Sequence, residues 1–160
     1  MRRKRKIALA VLAVIIVFCL WYTRPRSFDD LVGEGEFQNF SLIATKDSEP
    51  SGALQLDSSG DRGETAGALR EILQSCQYRV SLRSLLPLPN LGAGRGSGET
   101  TILISAATGE DEWFTAAYQG ATAEFGSNGR TIFTRAQDQA IAEKILAFVK
   151  EYGQKWETDS

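Results

Sequence analysis

Residues 121–134 read ATAEFGSNGRTIFT. Two β-prone runs, 121–127 and 130–134, flank Asn128-Gly129. Both turn residues tolerate the positive φ of a type I′ turn, so this dipeptide predicts a tight hairpin. A tight hairpin commits its strands to antiparallel pairing.

The pattern extends upstream. TTILISAA (100–107) faces DEWFTAAY (111–118) across Thr108-Gly109-Glu110. FQNFSLIAT (37–45) faces ALQLD (53–57) across a turn-rich stretch over 46–52. YRVSLRSLL (78–86) alternates, with Tyr78, Val80 and Leu82 on one side and Arg79, Ser81 and Arg83 on the other. These runs predict strands bounded by turns.

Two segments switch to helical spacing. Over 64–77, Leu69, Ile72, Leu73 and Cys76 share a face, with Ala66 a turn earlier and Asp61 and Glu64 spaced as a capping box. Near the end of the chain, Ile141, Ile145, Phe148, Val149 and Tyr152 form an apolar stripe. Thr134 and Gln137 are spaced as its capping box, Asp138 suits its N-terminus, and Gly153 is placed to end it. The order ββαβββββα predicts an α+β domain over 37–160. It would carry an antiparallel sheet of about five to seven strands, with two helices on one face.

Charge is unevenly distributed. Seven of the 18 basic residues lie within the first 26 positions, and all 20 acidic residues follow them. The remaining 134 residues therefore carry a net charge of −9. Such a domain repels phosphate, which excludes nucleic-acid binding as its main task.

Residues 7–22, from Ile7 to Tyr22, read IALAVLAVIIVFCLWY without a charge. As a helix they span about 24 Å, close to the thickness of a hydrocarbon core. Trp21 and Tyr22 occupy the place of interfacial aromatics, and RRKRK precedes the segment within residues 1–6. The positive-inside rule then predicts a single-pass signal-anchor in the cell membrane, with a cytoplasmic N-terminus and the C-terminal domain outside. A cleavable signal sequence shares the basic start and apolar stretch, but bulky Phe18, Leu20, Trp21 and Tyr22 stand where small residues are needed. Phe18 before Cys19 also argues against a lipoprotein. Residues 23–36 include RPRSFDDLVGEGE, which reads as a tether.

The chain has no histidine. That removes Ser-His-Asp and Cys-His nucleophile systems and every imidazole zinc site. Cys19 lies in the apolar segment and Cys76 in the domain, so no pairing between them is expected and no CxxC centre exists. The glycine-rich 92–98, GAGRGSG, breaks G-x-G-x-x-G at Ser97 and lacks a Walker Lys-Ser/Thr. It reads as a strand connector. Glu110, Asp111 and Glu112, and Asp57 with Asp61, lack calcium-loop spacing and read as solvated turn charges. Asn39-Phe40-Ser41 matches a glycosylation sequon inside a strand.

No catalytic residue, cofactor or metal ligand is assigned. The aromatics Trp113, Phe114, Tyr118, Phe125 and Phe133 fall in strands, where alternation sends Trp113 opposite to Phe114 and Tyr118. One set faces the helices, and an exposed set would mark a partner site. The expectation is a membrane-anchored, non-enzymatic extracytoplasmic interaction domain. Its partners would be the bilayer, through the anchor, and a membrane or envelope protein. The alternatives are an accessory subunit acting through its anchor, and a carboxylate-dependent extracytoplasmic hydrolase.

Overall fold

The structure is a computed structural model, described for residues 2–37, 39–46, 54–57, 64–85, 100–108, 112–127 and 130–155. The Asn128-Gly129 turn, the 92–98 connector, Asp61, Glu110 and Asp111 lie outside the described residues.

The class is α+β, as expected. Helix α1 (Arg2–Tyr22) is followed by β1 (Pro25–Arg26), α2 (Phe28–Val32), β2 (Asn39–Lys46), β3 (Leu54–Asp57), α3 (Glu64–Gln74) and β4 (Tyr78–Val80). A 3-10 turn (Leu82–Leu85) precedes β5 (Thr100–Ala107), β6 (Trp113–Gln119), β7 (Thr122–Ser127), β8 (Arg130–Ala136), α4 (Ile141–Tyr152) and β9 (Gln154–Lys155). The described strands form one sheet in the order β1-β4-β8-β7-β6-β5-β2-β3-β9, with every pair antiparallel.

The hairpins β2–β3, β5–β6 and β7–β8 pair as their sequences predict. A further tight connection joins β6 to β7, where Gly120 takes φ +56°. Only glycine occupies that region without steric cost. Among the described residues the sheet has nine strands rather than five to seven. The outermost two, β1 and β9, are two-residue strands without any alternation for a sequence pattern to reveal.

Alternation decides the faces. Phe40, Leu42 and Ala44 of β2, Ile102, Ile104 and Ala106 of β5, Phe114, Ala116 and Tyr118 of β6, and Ala123 and Phe125 of β7 are buried. They share one core with Leu69 and Leu73 of α3 and Ile141, Ile145, Phe148 and Val149 of α4. Both long helices therefore cover the same face. At the end of α4, Gly153 donates its N–H to the Val149 carbonyl. A Cβ there would lie 2.5 Å from that oxygen, so the close approach requires glycine.

Three local readings are corrected. Thr134 does not cap α4: it sits in β8, and its hydroxyl donates to the Ala123 carbonyl at 3.0 Å. Asp138 takes the helix entry instead, accepting from the Ala140 N–H at 2.9 Å and from Lys144 Nζ at 2.6 Å. Leu82 does not continue the Tyr78–Val80 face, because the chain leaves the sheet after Val80 and enters the 3-10 turn.

The third correction concerns residues 23–36, which are no free tether. Ser27 and Asp30 form a reciprocal capping box that starts α2. Phe28 is wholly buried, edge-on to Phe37, Phe114 and Phe125. Burying such a ring contributes about 1.5–3 kcal/mol. Arg70 of α3 binds the Asp29 carboxylate and the Gly35 carbonyl, donates to Gly33 O at 3.2 Å, and lies over the Phe28 and Phe37 rings. A five-residue helix is too short for periodicity to reveal, so long-range contacts fix it.

Within α1, Lys4–Tyr22 forms a 19-residue stretch long and apolar enough to cross a membrane, as a signal sequence also is. Ile7 and Trp21 are exposed, whereas Tyr22 is buried in the domain core beneath the Arg26 guanidinium.

Candidate functional site

The outward face of the sheet is built by the alternate positions of the same strands. Register aligns them in rows across the sheet. One row runs Phe133, Glu124, Ala117, Leu103, Ile43, Gln55 from β8 to β3. The next runs Thr131, Gly126, Thr115, Ser105, Ser41. From β8 to β2 the second row holds only small side chains or none, so it lies lower than the first. The result is a shallow depression of about 290 Å³ crossing the strands. Its floor is Ser41, Ser105, Thr115, Gly126 and Thr131, and its apolar wall is Ile43, Leu103 and Ala117. Gly126 keeps the floor open, because a Cβ there would lie 2.6 Å from Thr115 Oγ1.

Trp113 stands one row further on, opposite Ala107 and on the same face. Leu103 is 49% exposed and Trp113 53% exposed. Among the described residues no α-helix packs over the Leu103–Trp113 part of this face, since α2, α3 and α4 share the opposite side; the 3-10 turn covers it at Phe133. Two large exposed apolar side chains beside a trough of hydroxyls suit a contact that is part apolar and part hydrogen-bonded.

The charged groups sit at the β8 side. Burial pushes the Glu124 carboxyl above its ordinary value, and the Arg83 guanidinium opposes that shift. Arg83 itself lies 4.5 Å over the Phe133 ring.

The five aromatics singled out in the sequence thus separate. Phe114, Tyr118 and Phe125 point into the core. Trp113 and Phe133 are on the outward face, but Phe133 is buried, with Arg83 over its ring. Trp113 remains as the exposed aromatic of the set. Ile43 and Leu103 belong to the surface and escaped notice in the sequence. The alternation of TTILISAA did carry the signal, because Leu103 lies out of phase with Ile102 and Ile104.

Cys76 is buried and accepts the Asp138 N–H at 3.4 Å, and Cys19 is also unpaired. Among the described residues, no three carboxylate or thiol groups converge as a metal site would require. The fold is thus a mixed α+β domain that, among the described residues, has its α2, α3 and α4 on one sheet face, and it follows an apolar helix. The chain has no match among protein-family models, curated proteins or solved structures.

Proposed function

We propose that this protein is a single-pass, membrane-anchored and non-enzymatic interaction domain. The domain stands on the extracytoplasmic side, and the open sheet face receives a membrane or envelope protein. The carrying observation is the apolar wall of Ile43, Leu103 and Ala117 beside the hydroxyl-floored depression, with exposed Trp113 one row beyond it on the same face. Such a mixed apolar and hydrogen-bonding surface suits a protein partner.

Two further observations support the placement. The basic run at residues 2–6 precedes the apolar helix, which favours a cytoplasmic N-terminus. Burial of Tyr22 in the domain core ties that helix to the fold, which argues for its retention.

A photo-cross-linking side chain at Leu103, with another at exposed Lys150 as control, tests the reading in membranes of the native host. A discrete adduct at Leu103, absent at Lys150 and lost on Trp113→Ala, is expected. Adducts confined to positions in residues 7–22 would make the helix itself the contact, as in an accessory subunit. No adduct at either place would overturn the interaction reading.

A further inference from the structure

The register of the sheet edge places a second apolar element beside the anchor. β1 begins two residues after Thr23, and its Pro25 pairs with Arg79 of β4. The strands are antiparallel, so β4 ends where β1 begins. The chain therefore leaves β4 at the anchor end of the sheet and at once forms the 3-10 turn Leu82–Leu85. In that geometry residues i and i+3 eclipse, so Leu82 and Leu85 project from one side. Both are exposed, at 43% and 45%.

The turn is held rigidly in this position. Ser84 Oγ accepts the Phe133 N–H at 2.9 Å and donates to the Phe133 carbonyl at 3.1 Å, while the Ser81 N–H donates to that same carbonyl at 2.8 Å. Two exposed leucines on a turn clamped to β8 are presented, not loosely displayed.

Charge agrees with the position. Residues 22–26 and 78–85 contain Arg24, Arg26, Arg79 and Arg83 and no acid, in a domain of net charge −9 over residues 27–160; Asp30 lies near Arg24 and Arg26, and Glu124 near Arg83. Arg24 and Arg79 are exposed, and Arg24 lies 5.8 Å over the Trp21 ring at the end of α1. A pair of leucines flanked by arginines, next to a helix that ends in an exposed tryptophan, matches the layering of a bilayer interface.

We propose that the turn Leu82–Leu85 is a second lipid-contact element. Leu82 and Leu85 enter the interfacial layer of the bilayer that α1 crosses, and the exposed Arg24 and Arg79 meet its anionic headgroups. This rests on the reading of α1 as membrane-spanning. Two contacts, an anchor and a turn, then fix how the domain stands on the membrane.

The test uses the full chain carrying Cys19→Ser and Cys76→Ala, reconstituted in vesicles of phosphatidylcholine and phosphatidylglycerol. Single nitroxides are placed by Leu82→Cys, Leu85→Cys, Val14→Cys in the anchor, and Lys150→Cys on α4. Collision with oxygen, which concentrates in lipid, is compared with collision with a water-soluble nickel chelate. Labels at 82 and 85 are expected to share the oxygen-favoured ratio of Val14, with Lys150 nickel-favoured. Labels at 82 and 85 that follow Lys150, while Val14 stays oxygen-favoured, would overturn the lipid contact and leave the anchor standing. A nickel-accessible Val14 would overturn the anchor and the turn contact together. Vesicles of phosphatidylcholine alone should shift labels 82 and 85 toward the aqueous ratio, and no shift would remove the arginines from the proposal.

Discussion

The phenol oxygens of Tyr78 on β4 and Tyr118 on β6 lie 3.0 Å apart, and both side chains are wholly buried. Tyr78 donates its proton to the Leu73 carbonyl at the end of α3, also at 3.0 Å. Its oxygen is thus the acceptor, and Tyr118 is the donor. The two substitutions are therefore unequal. Tyr118→Phe removes one donor and leaves Tyr78 bonded to Leu73, at an expected cost of about 1 kcal/mol. Tyr78→Phe strands a buried donor on Tyr118 as well as losing the tie to α3, at an expected cost of about 2–3 kcal/mol. Urea unfolding of the full chain in mild detergent measures both, and equal losses would refute the assigned direction.

The same pair sets an alkaline limit. Burial pushes both phenols above their ordinary value; the hydrogen bond from Tyr118 opposes the shift of Tyr78, whereas Tyr78 adds to that of Tyr118. Each is therefore neutral in the fold at a pH where the unfolded chain, with tyrosine near about 10, already loses the proton. The folded state binds more protons there, so stability falls as pH rises. The contribution is fully present below pH about 10 and is lost progressively above it. Unfolding midpoints should hold up to that point and then decline, with tyrosinate absorbance appearing as the protein unfolds. Tyr118→Phe should flatten the decline.

Arg70 ties the segment that follows α1 to the domain, beside Gln74, whose side-chain amide donates to the Asp29 carboxylate at 3.1 and 2.9 Å. Its guanidinium holds Asp29 and the Gly33 and Gly35 carbonyls over the Phe28 and Phe37 rings. Only a planar fork reaches several acceptors at once, so Arg70→Lys should behave nearly as Arg70→Ala. Either is expected to cost about 2–3 kcal/mol, because charged hydrogen bonds over buried rings are lost. Hydrogen exchange should quicken across residues 28–37 and remain slow in α4. Unchanged exchange in both variants would show that Gln74 and the buried Phe28, Leu31 and Phe37 dock the segment without Arg70.

That segment also marks how far the sequence could be read. The hairpins and the two long helices are local: each is encoded by alternation, helical spacing or a turn dipeptide within a few residues. The docking of residues 25–37 is encoded by Arg70, 41 residues from Asp29, and by Phe114 and Phe125 across the sheet. No window along the chain contains both sides of those contacts. Thr134 misled for a related reason. Its spacing to Gln137 fits a cap, but the hydroxyl is needed by Ala123 on the neighbouring strand. The candidate site was half legible. Alternation separated Trp113 from Phe114 and Tyr118, yet only the sheet order brings Ile43, Leu103 and Trp113 onto one bare surface.

The two faces of β5, β6 and β7 should therefore respond oppositely to mutation. Phe125→Ala empties a core site between Tyr78, Tyr118 and Phe28, with an expected cost of about 3–5 kcal/mol. Leu103→Ser and Trp113→Ala alter half-exposed side chains on the outward face. Their cost should remain within about 1 kcal/mol, since little packing is removed. If that face receives a partner, the order reverses for association: the outward variants lose cross-linking while keeping the fold. An inward variant loses association only in proportion to the fraction unfolded. Measuring unfolding midpoint and adduct yield for all three variants, with the cross-linking side chain at Thr115 for Leu103→Ser, separates these effects. Full adduct yield from Trp113→Ala, with cross-linking at position 103 retained, would exclude the tryptophan from the contact and leave Ile43 and Leu103 as its apolar part.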